Sequence, residues 1–184
     1  MLYLISGGSG SGKSQYAEKL AVDRNKFYKG NLYYVATMCP YDDESYKRIE
    51  KHQKMRMGKG FETIECYCNI GQLNANENDV VLIECMSNLL ANEMYIDEGK
   101  IKGENLLYKA SNEIVRPIAG LEKKVGCVVV VTNEVFSDGL CYDSETQKYT
   151  ELLGYINREL SMFAHAVTEV VCSIPVCVKG ELPC

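Results

Sequence analysis

Eight residues near the start of the sequence have the types and spacing that hold a phosphate chain. Residues 7–14 read Gly-Gly-Ser-Gly-Ser-Gly-Lys-Ser and match the pattern G-x-x-x-x-G-K-[ST]. Glycine lets the backbone wrap closely around a polyphosphate with its N–H groups pointing inward. The lysine can reach the β- and γ-phosphates, and the hydroxyl after it can bind Mg²⁺. The predicted nucleotide-binding residues of this loop are Gly7, Gly8, Ser9, Gly10, Ser11, Gly12, Lys13 and Ser14.

Glu84 is an acidic residue that can share this site. It directly follows the four apolar residues Val80–Ile83. Such a run predicts a strand that is buried on both faces. At the end of that strand, Glu84 can hold Mg²⁺ through water or contact the nucleotide. The alternative is a glutamate that faces solvent, because Glu is rarely buried. We therefore predict Ser14 and Glu84 as metal-binding residues.

A histidine lies between two arginines farther along the chain. Arg48, His52 and Arg56 are spaced at i, i+4 and i+8, so a helix projects all three from one face. Two guanidinium groups that flank an imidazole can bind a phosphate chain with a nucleophile at its centre. Positive neighbours also disfavour protonation of the imidazole, which leaves it nucleophilic. The alternative is a solvated basic helix face with an incidental histidine.

Short apolar runs alternate with longer segments of helical period, and together they must position these residues. The predicted strands are Leu2–Ser6, Leu32–Thr37, Phe61–Cys66, Val80–Cys85, Cys127–Thr132, Glu169–Ser173 and Val176–Lys179. The predicted helices are Lys13 to about Asp23, Asp42 to about Met57, and about Glu104–Lys124, kinked or divided near Pro117. The apolar stripe of a last helix, at steps of three and four, consists of Tyr149, Leu152, Leu153, Ile156, Leu160, Phe163 and Val167.

This alternation predicts an α/β fold with a mainly parallel sheet and helices on both faces. The length of 184 residues fits one phosphate-loop nucleotide-binding domain over residues 1–184. The second histidine, His165, falls opposite the apolar stripe of the last helix. It is predicted to be a surface residue without a functional role.

Composition limits the class of protein and its partners. Apolar residues make up 46% and charged residues 24%, as in an ordinary globular protein. The formal charge of −5 argues against nucleic acid or an anionic membrane as the partner. We expect a cytoplasmic protein without a membrane span, because no basic-then-apolar leader opens the sequence and no apolar run approaches roughly 18 residues. The nine cysteines form no C-x-x-C pair and are expected to be free thiols.

Several different motifs occur together along almost the whole chain. They are the phosphate loop, Tyr-Val-Ala-Thr at 34–37, D-D-E-x-x-x-R-I-x-x-H-x-x-x-R at 42–56, Ile-Glu-Cys at 64–66, Leu-Ile-Glu-Cys at 82–85, Thr-Asn-Glu-Val at 132–135, Gly154, Asn157, Leu160 and Ser-Ile-Pro at 173–175. In this combination the chain resembles the bifunctional adenosylcobinamide kinase/adenosylcobinamide-phosphate guanylyltransferase family of cobalamin biosynthesis. The phosphate loop alone is shared with many families, whereas its combination with the arginine–histidine helix is much more specific.

The resemblance implies a single P-loop domain, usually assembled as a homotrimer, that acts on adenosylcobinamide with GTP and ATP and uses Mg²⁺. His52 corresponds to the histidine that becomes covalently guanylylated, and Lys13 to the loop lysine on the nucleotide phosphates. Arg48 and Arg56 are then expected to stabilise charge on the transferring phosphate. The further nucleotide-binding residues that the resemblance implies are Ala36, Thr37, Met38, Gln53, Lys54, Met55, Arg56, Glu65 and Glu84.

One segment departs from the family pattern. After Thr-Asn-Glu-Val the family usually has Gly-x-Gly-Ile-Val-Pro and a nearby arginine, whereas residues 136–144 here read Phe-Ser-Asp-Gly-Leu-Cys-Tyr-Asp-Ser. This segment is expected to shape the corrinoid side of the site. Two other classes of function stay open. A small-molecule P-loop kinase would need Lys13 but not His52, and a non-catalytic GTP-binding module would bind GTP without turnover.

Overall fold

Seven strands and six α-helices follow one another in the computed structural model, which describes residues 1–137, 139 and 142–182. The strands are β1 (Leu2–Ser6), β2 (Leu32–Ala36), β3 (Glu62–Glu65), β4 (Val80–Glu84), β5 (Cys127–Val131), β6 (Ala166–Val171) and β7 (Ile174–Lys179). The helices are α1 (Lys13–Tyr28), α2 (Asp43–Arg56), α3 (Met86–Tyr95), α4 (Leu106–Ala110), α5 (Arg116–Glu122) and α6 (Ser144–Phe163). A short 3₁₀ turn covers Ile70–Gln72, and a π-helical segment covers Ser111–Val115.

All seven strands belong to one sheet, in the order β3-β2-β4-β5-β1-β6-β7. Every pairing is parallel except that of β7 with β6, which is antiparallel. Strands β4 and β5 are apolar and buried at nearly every position, as a parallel sheet with two covered faces requires. The predicted α/β fold with a mainly parallel sheet is confirmed.

The core has two layers, one on each face of the sheet. Alternate residues of β1 point to opposite faces, so Leu4 packs in one layer and Ile5 in the other. Helix α1 covers the face of Ile5, with Leu20 buried there. Helices α3, α5 and α6 cover the other face. This arrangement brings the carboxyl ends of β1, β2 and β4 to one edge of the sheet, where α1 also begins.

Helix α2 is attached differently from the others. Only Ser45 and Arg56 of its fourteen residues are buried. Asp42 caps its first turn: the carboxylate accepts from the backbone N–H of Ser45 at 2.7 Å, and the Ser45 hydroxyl accepts from the backbone N–H of Asp42 at 3.1 Å. The helix is therefore held mainly near its two ends.

The structure corrects several details of the predicted elements. Strand β6 spans Ala166–Val171 rather than Glu169–Ser173, and β7 begins at Ile174 rather than Val176. Helix α1 continues five residues past Asp23, to Tyr28. The helical region around Pro117 is divided, as predicted, but the break is the π-helical segment before the proline, and Pro117 lies in the first turn of α5. Helix α3 was not predicted.

The predicted stripe of the last helix is wrong at its end. Helix α6 stops at Phe163, which is exposed, and Val167 lies in β6. His165 is exposed, as predicted, but it lies in the connection rather than in the helix. Its backbone N–H donates to the carbonyl of Leu2 at 2.8 Å, because the chain already turns there to join the sheet. Among the described residues, no helix combines the length and apolar character that crossing a bilayer requires.

Candidate active site

The phosphate loop connects the end of β1 to the start of α1, and neighbouring segments fix its shape. Gly12 caps α1 with φ 92° and ψ 3°, a left-handed conformation that favours glycine. A Cβ there would lie 2.7 Å from the Ser173 Oγ, so the turn between β6 and β7 presses against the loop. At Gly8 and Gly10 a Cβ would meet no atom within 4 Å. The loop is thus packed at Gly12 and open at these two glycines.

Lys13 reaches back across the loop. Its Nζ donates to the carbonyl of Gly8 at 3.0 Å. Burial lowers the pKa of Lys13, and the nearby Cys85 and Glu84 partly oppose that shift. The ammonium group therefore lies across the same loop whose backbone N–H groups can bind phosphate.

Glu84 is buried beside the loop rather than exposed at the strand end. Its Oε1 accepts a short hydrogen bond from the Ser14 hydroxyl, and its Oε2 accepts from the Tyr34 hydroxyl at 3.3 Å. The alternative of a glutamate that faces solvent is wrong. The structure brings the two predicted metal-binding residues into contact, and a hydroxyl next to a carboxylate is the oxygen donor set that Mg²⁺ prefers.

His52 projects from α2 toward this pair. Its Nδ1 lies 3.7 Å from Glu84 Oε1, beyond hydrogen-bond distance, and its side chain is 27% exposed. Among the described residues, Nδ1 has no hydrogen-bond partner. Carboxylate oxygens of Glu84 and of Glu18 in α1 lie within 4.8 Å of a ring nitrogen of the imidazole. This differs from the expectation of two flanking guanidinium groups, although it does place the histidine beside the phosphate loop.

The two arginines of α2 have different surroundings. Arg48 is exposed and pairs with Glu44 one turn earlier on the same helix. It also lines a cleft with Met38 at the end of β2. Arg56 is only 7% exposed, and its guanidinium carbon lies 3.4 Å from the centroid of the Tyr34 ring. The carboxyl end of α2 therefore packs onto β2, whereas Arg48, two turns earlier, stays in solvent.

The other predicted nucleotide-binding residues divide into two groups. Thr37 is buried at the end of β2, where its hydroxyl donates to the carbonyl of Cys85 at 2.9 Å and accepts from the Cys85 N–H at 2.7 Å. Ala36 precedes it at the same sheet edge. Gln53 lines a shallow cavity of about 540 Å³ with Arg56. Met55, half-buried, also belongs to α2, where exposed Lys54 pairs with Glu50 at 2.7 Å.

Glu65 ends β3, in register with Ala36 of β2 at the same edge of the sheet. It accepts from the Tyr67 hydroxyl at 2.9 Å and lines a cavity of about 630 Å³ beyond β3. That cavity shares no lining residue with the one at Gln53. The structure therefore gathers the loop, Glu84 and His52, and the Glu65 side chain lines a cavity at the same sheet edge.

Sequence reasoning assigned no role to Glu18, to its ion-pair partner Lys59 or to Tyr34. Glu18 is fully buried and pairs with Lys59 at 2.6 Å. It follows Ser14 by one helical turn, a spacing that could have indicated a shared face. Tyr34 joins Glu84 to Arg56, and no local pattern distinguishes it from other strand tyrosines.

The segment that departs from the family pattern is described only in part, because Asp138, Leu140 and Cys141 lie outside the described residues. Before them, the Phe136 ring lies next to Gly154 of α6, where a Cβ would be 3.5 Å from it. After them, Asp143 caps α6 by accepting from two backbone N–H groups.

Comparison with known proteins identifies relatives of similar length. The family model for cobinamide kinase / cobinamide phosphate guanyltransferase matches residues 3–178. The bifunctional adenosylcobalamin biosynthesis protein CobU of Escherichia coli is 31% identical over 188 residues, which covers 97% of this chain and 100% of that protein. CobU of Salmonella typhimurium is 30% identical, with 97% and 100% covered, and CobP of Pseudomonas aeruginosa is 24% identical, with 97% of each covered.

Solved structures with a related chain trace include the ATPase domain of G40P, at 9% identity and a TM-score of 0.49, covering 91% of this chain and 68% of that one. The fold class rests on the sheet order and the phosphate loop described above. With a family model that spans nearly the whole sequence and relatives covered from end to end, the chain belongs to the cobinamide kinase / cobinamide phosphate guanyltransferase family.

Proposed function

We propose that this protein phosphorylates adenosylcobinamide with ATP or GTP and then transfers GMP from GTP, through His52, to give adenosylcobinamide-GDP in cobalamin biosynthesis. Family membership supports both activities, since the names of the family and of its relatives include them or their pathway. The observation that carries the proposal is the position of His52. A nucleophile that lies 3.7 Å from the carboxylate bound to Ser14 is next to the place where the loop holds phosphates.

In the kinase step, the hydroxyl oxygen of the corrinoid's aminopropanol arm attacks the γ-phosphorus, and the bond to the nucleoside diphosphate breaks. The hydroxyl proton leaves to solvent. Such a transfer needs positioning and charge stabilisation more than protein covalent chemistry. Lys13 and the loop N–H groups supply these at the β- and γ-phosphates. Ser14 and Glu84 are the residues that would hold Mg²⁺, which neutralises phosphate charge when bound.

In the guanylyl transfer, an imidazole nitrogen of His52 attacks the α-phosphorus of GTP, and the bond to pyrophosphate breaks. A phosphate oxygen of the phosphorylated corrinoid then attacks the same phosphorus, the nitrogen–phosphorus bond breaks, and the imidazole is regenerated. Two displacements replace one difficult step, as in other covalent catalysis. Nδ1 faces the buried Glu84 carboxylate, so we assign the attack to the other ring nitrogen, Nε2.

The two arginines support this transfer from different positions. Arg48 is exposed and can exchange Glu44 for a phosphate, because a surface ion pair contributes only about 0–1 kcal/mol. Arg56 is buried under α2 on the Tyr34 ring, and its Nη1 has no hydrogen-bond partner among the described residues. We assign to Arg48 a direct contact with the transferring phosphate and to Arg56 a position behind it.

We further propose a cytoplasmic homotrimer, as the resemblance implies. Exposed apolar side chains on the edge strand β7 favour association with a second copy, because a long unpaired apolar edge is otherwise prone to nonspecific pairing. We also propose nucleotide contacts for the remaining residues that the resemblance implies, which are Ala36, Thr37, Met38, Gln53, Lys54, Met55 and Glu65.

One experiment tests the proposed function directly. The protein is incubated with Mg²⁺ and GTP labelled at the α-phosphorus, and in parallel with GTP labelled at the γ-phosphorus. The α-label should stay on the denatured chain in an acid-labile, alkali-stable linkage, with release of pyrophosphate. The γ-label should not stay. Absence of α-label would leave the simple kinase or the GTP-binding module, and corrinoid phosphorylation would decide between those two.

A further inference from the structure

Three ionisable side chains from three different elements meet beneath α2. Glu18 belongs to α1, His52 to α2, and Glu84 to the end of β4. A carboxylate oxygen of each glutamate and a ring nitrogen of the histidine all lie within 4.8 Å of one another. Glu18 is fully buried and Glu84 nearly so. The three atoms therefore face one another with little access to water.

Two atoms of this cluster are buried without a hydrogen-bond partner among the residues that the structure describes. They are Oε1 of Glu18 and Nδ1 of His52. Buried polar atoms are almost always paired, and each exception calls for an explanation such as an ion. The second oxygen of Glu18 is already bound by Lys59 at 2.6 Å. The cluster thus presents free ligand atoms from an imidazole and from a fully buried carboxylate.

The spacing of the atoms suits a shared cation better than a direct contact. Nδ1 of His52 and Oε1 of Glu84 are 3.7 Å apart, which is too long for a hydrogen bond. Ligands that each lie about 2.1 Å from one ion are separated by roughly 3–4 Å, and an angle of roughly 120° at the ion gives close to the observed distance.

Neighbouring side chains hold the ligands in place. Ser14 and Tyr34 donate to Glu84, and Lys59 donates to Glu18. Hydrogen bonds of this kind orient the ligands of metal sites and raise their affinity. Two carboxylates with one imidazole form a mixed oxygen and nitrogen set, which suits Mn²⁺, Fe²⁺, Co²⁺ or Zn²⁺.

We propose that Glu18, His52 and Glu84 bind one divalent transition-metal ion in the nucleotide-free protein, and that this ion links α2 to α1 and β4. Helix α2 has few other attachments, since only Ser45 and Arg56 are buried along it. The site shares Glu84 with the proposed Mg²⁺ site but adds two ligands and needs no nucleotide. It does not depend on either transfer reaction.

The test titrates Mn²⁺ alone into the metal-free, nucleotide-free full-length chain. Mn²⁺ is the suitable probe because it prefers carboxylate and imidazole to the thiols of the nine cysteines. Continuous-wave electron paramagnetic resonance counts bound ions, and pulsed measurements detect a directly bound imidazole nitrogen. One Mn²⁺ per chain with nitrogen coupling is expected. Bound Mn²⁺ without nitrogen coupling would place the ion at Ser14 and Glu84 only and would overturn the proposal, as would the absence of saturable binding.

Variants assign the ligands. Glu18→Gln, which keeps the shape of the side chain, should lower the Mn²⁺ affinity at least about tenfold. His52→Ala should remove the nitrogen coupling. His165→Ala should change neither, because that histidine is exposed and lies outside the cluster. Full affinity in a folded Glu18→Gln protein contradicts the site. If that variant does not fold, the nitrogen coupling of the parent protein decides alone.

Discussion

Glu84 connects the two proposed reactions at the scale of single side chains. It accepts from Ser14 of the phosphate loop and lies 3.7 Å from Nδ1 of His52. Lys13 lies across the same loop, with Nζ on the carbonyl of Gly8. The proposed kinase chemistry needs the loop and its lysine, whereas the proposed guanylyl transfer also needs the imidazole. Single substitutions should therefore separate the two activities.

Replacing the histidine should remove only one of them. His52→Ala is expected to lose the covalent GMP label and the guanylyltransferase activity and to keep at least part of the kinase activity. Phosphoryl transfer from the γ-position needs no protein nucleophile. The measurements are the α-labelling described above and the formation of phosphorylated adenosylcobinamide.

The chain offers a matched control for this substitution. His165→Ala should behave like the parent protein in both assays, because His165 is exposed and lies between α6 and β6. Persistent labelling of His52→Ala would point to another nucleophile. Lys51 would be the first to examine, since a lysine can also form a phosphoramidate.

Replacing the lysine of the loop should remove both activities. Lys13→Ala is expected to lower each rate by at least about 100-fold, the usual cost of one donor to a developing phosphoryl or oxyanion charge. The protein should stay folded, because within the described part of the chain the Lys13 ammonium donates to one carbonyl, that of Gly8. Circular dichroism checks the fold and the two enzyme assays check the rates. Kinase turnover equal to that of the parent would refute a loop shared by both reactions.

Residue-level prediction worked where the signal was local and failed where it depended on packing. Glycines, lysine and serine at fixed spacing predict the loop without knowledge of the fold, and Arg48, His52 and Arg56 predict a helix face. That Arg56 turns onto Tyr34 while Arg48 stays in solvent could not be predicted, because it depends on where α2 meets the sheet. Glu18 had a local signal, its spacing of one helical turn from Ser14, but its meeting with His52 depends on packing.

At the scale of elements, α2 is the part of the site that is attached least. Its first turn depends on the reciprocal hydrogen bonds between Asp42 and Ser45. Asp42→Ala should fray this turn, since it leaves a backbone N–H without its acceptor. Hydrogen exchange should show faster exchange at the start of α2, with the rest of the sheet unchanged. Asp42→Asn keeps an acceptor but loses the charge, so it should fray less than Asp42→Ala; equal fraying in both variants would mean that the cap does not hold the helix.

The same cap predicts a pH dependence. Hydrogen bonds from the backbone and the side chain of Ser45 lower the pKa of Asp42. Since the folded state binds this proton less tightly than the unfolded state, the cap stabilises the helix fully above the ordinary pKa of aspartate. That stabilisation is lost as the pH falls through the lowered value. The difference in α2 protection between the parent and Asp42→Ala should therefore shrink in acid, and a constant difference would contradict the assignment.

Elements with strong periodicity or wholly apolar runs were predictable, and those defined by tertiary contact were not. The strands β1, β4 and β5 match their predicted bounds within one residue. Helix α3 was missed because Ser87, Asn88 and Asn92 interrupt its apolar pattern, although Asn92 is buried and donates to the carbonyl of Thr37 at 2.7 Å. Val167 continues the helical period by coincidence, because β6 begins at Ala166 and its pairing with β1 ends the helix.

At the scale of the whole molecule, the strand order decides what the sequence cannot. Adjacent segments β1 and β2 are separated in the sheet by β5 and β4, so Ser14 and Glu84 meet although 70 residues separate them. The alternation of strands and helices predicts the sheet but not this order. The order places the loop against the turn between β6 and β7, which therefore ties the phosphate loop to the antiparallel edge of the molecule.

The antiparallel edge formed by β7 also favours assembly of the chain into an oligomer. Ile174, Val176 and Val178 alternate along β7 and are 64%, 46% and 63% exposed, so three apolar side chains share one outward face. We expect light scattering at micromolar concentration to give three times the chain mass of 20.7 kDa. Val176→Lys should shift the protein toward monomer, because a charge there opposes burial of this face.

Phe27→Lys is the matched control: Phe27 is also exposed and apolar but lies at the end of α1, outside the β7 face. A parent protein of monomeric mass would refute the trimer. A trimer unaffected by Val176→Lys would instead place its interface elsewhere, and equal dissociation of both variants would show that any added surface charge disrupts it.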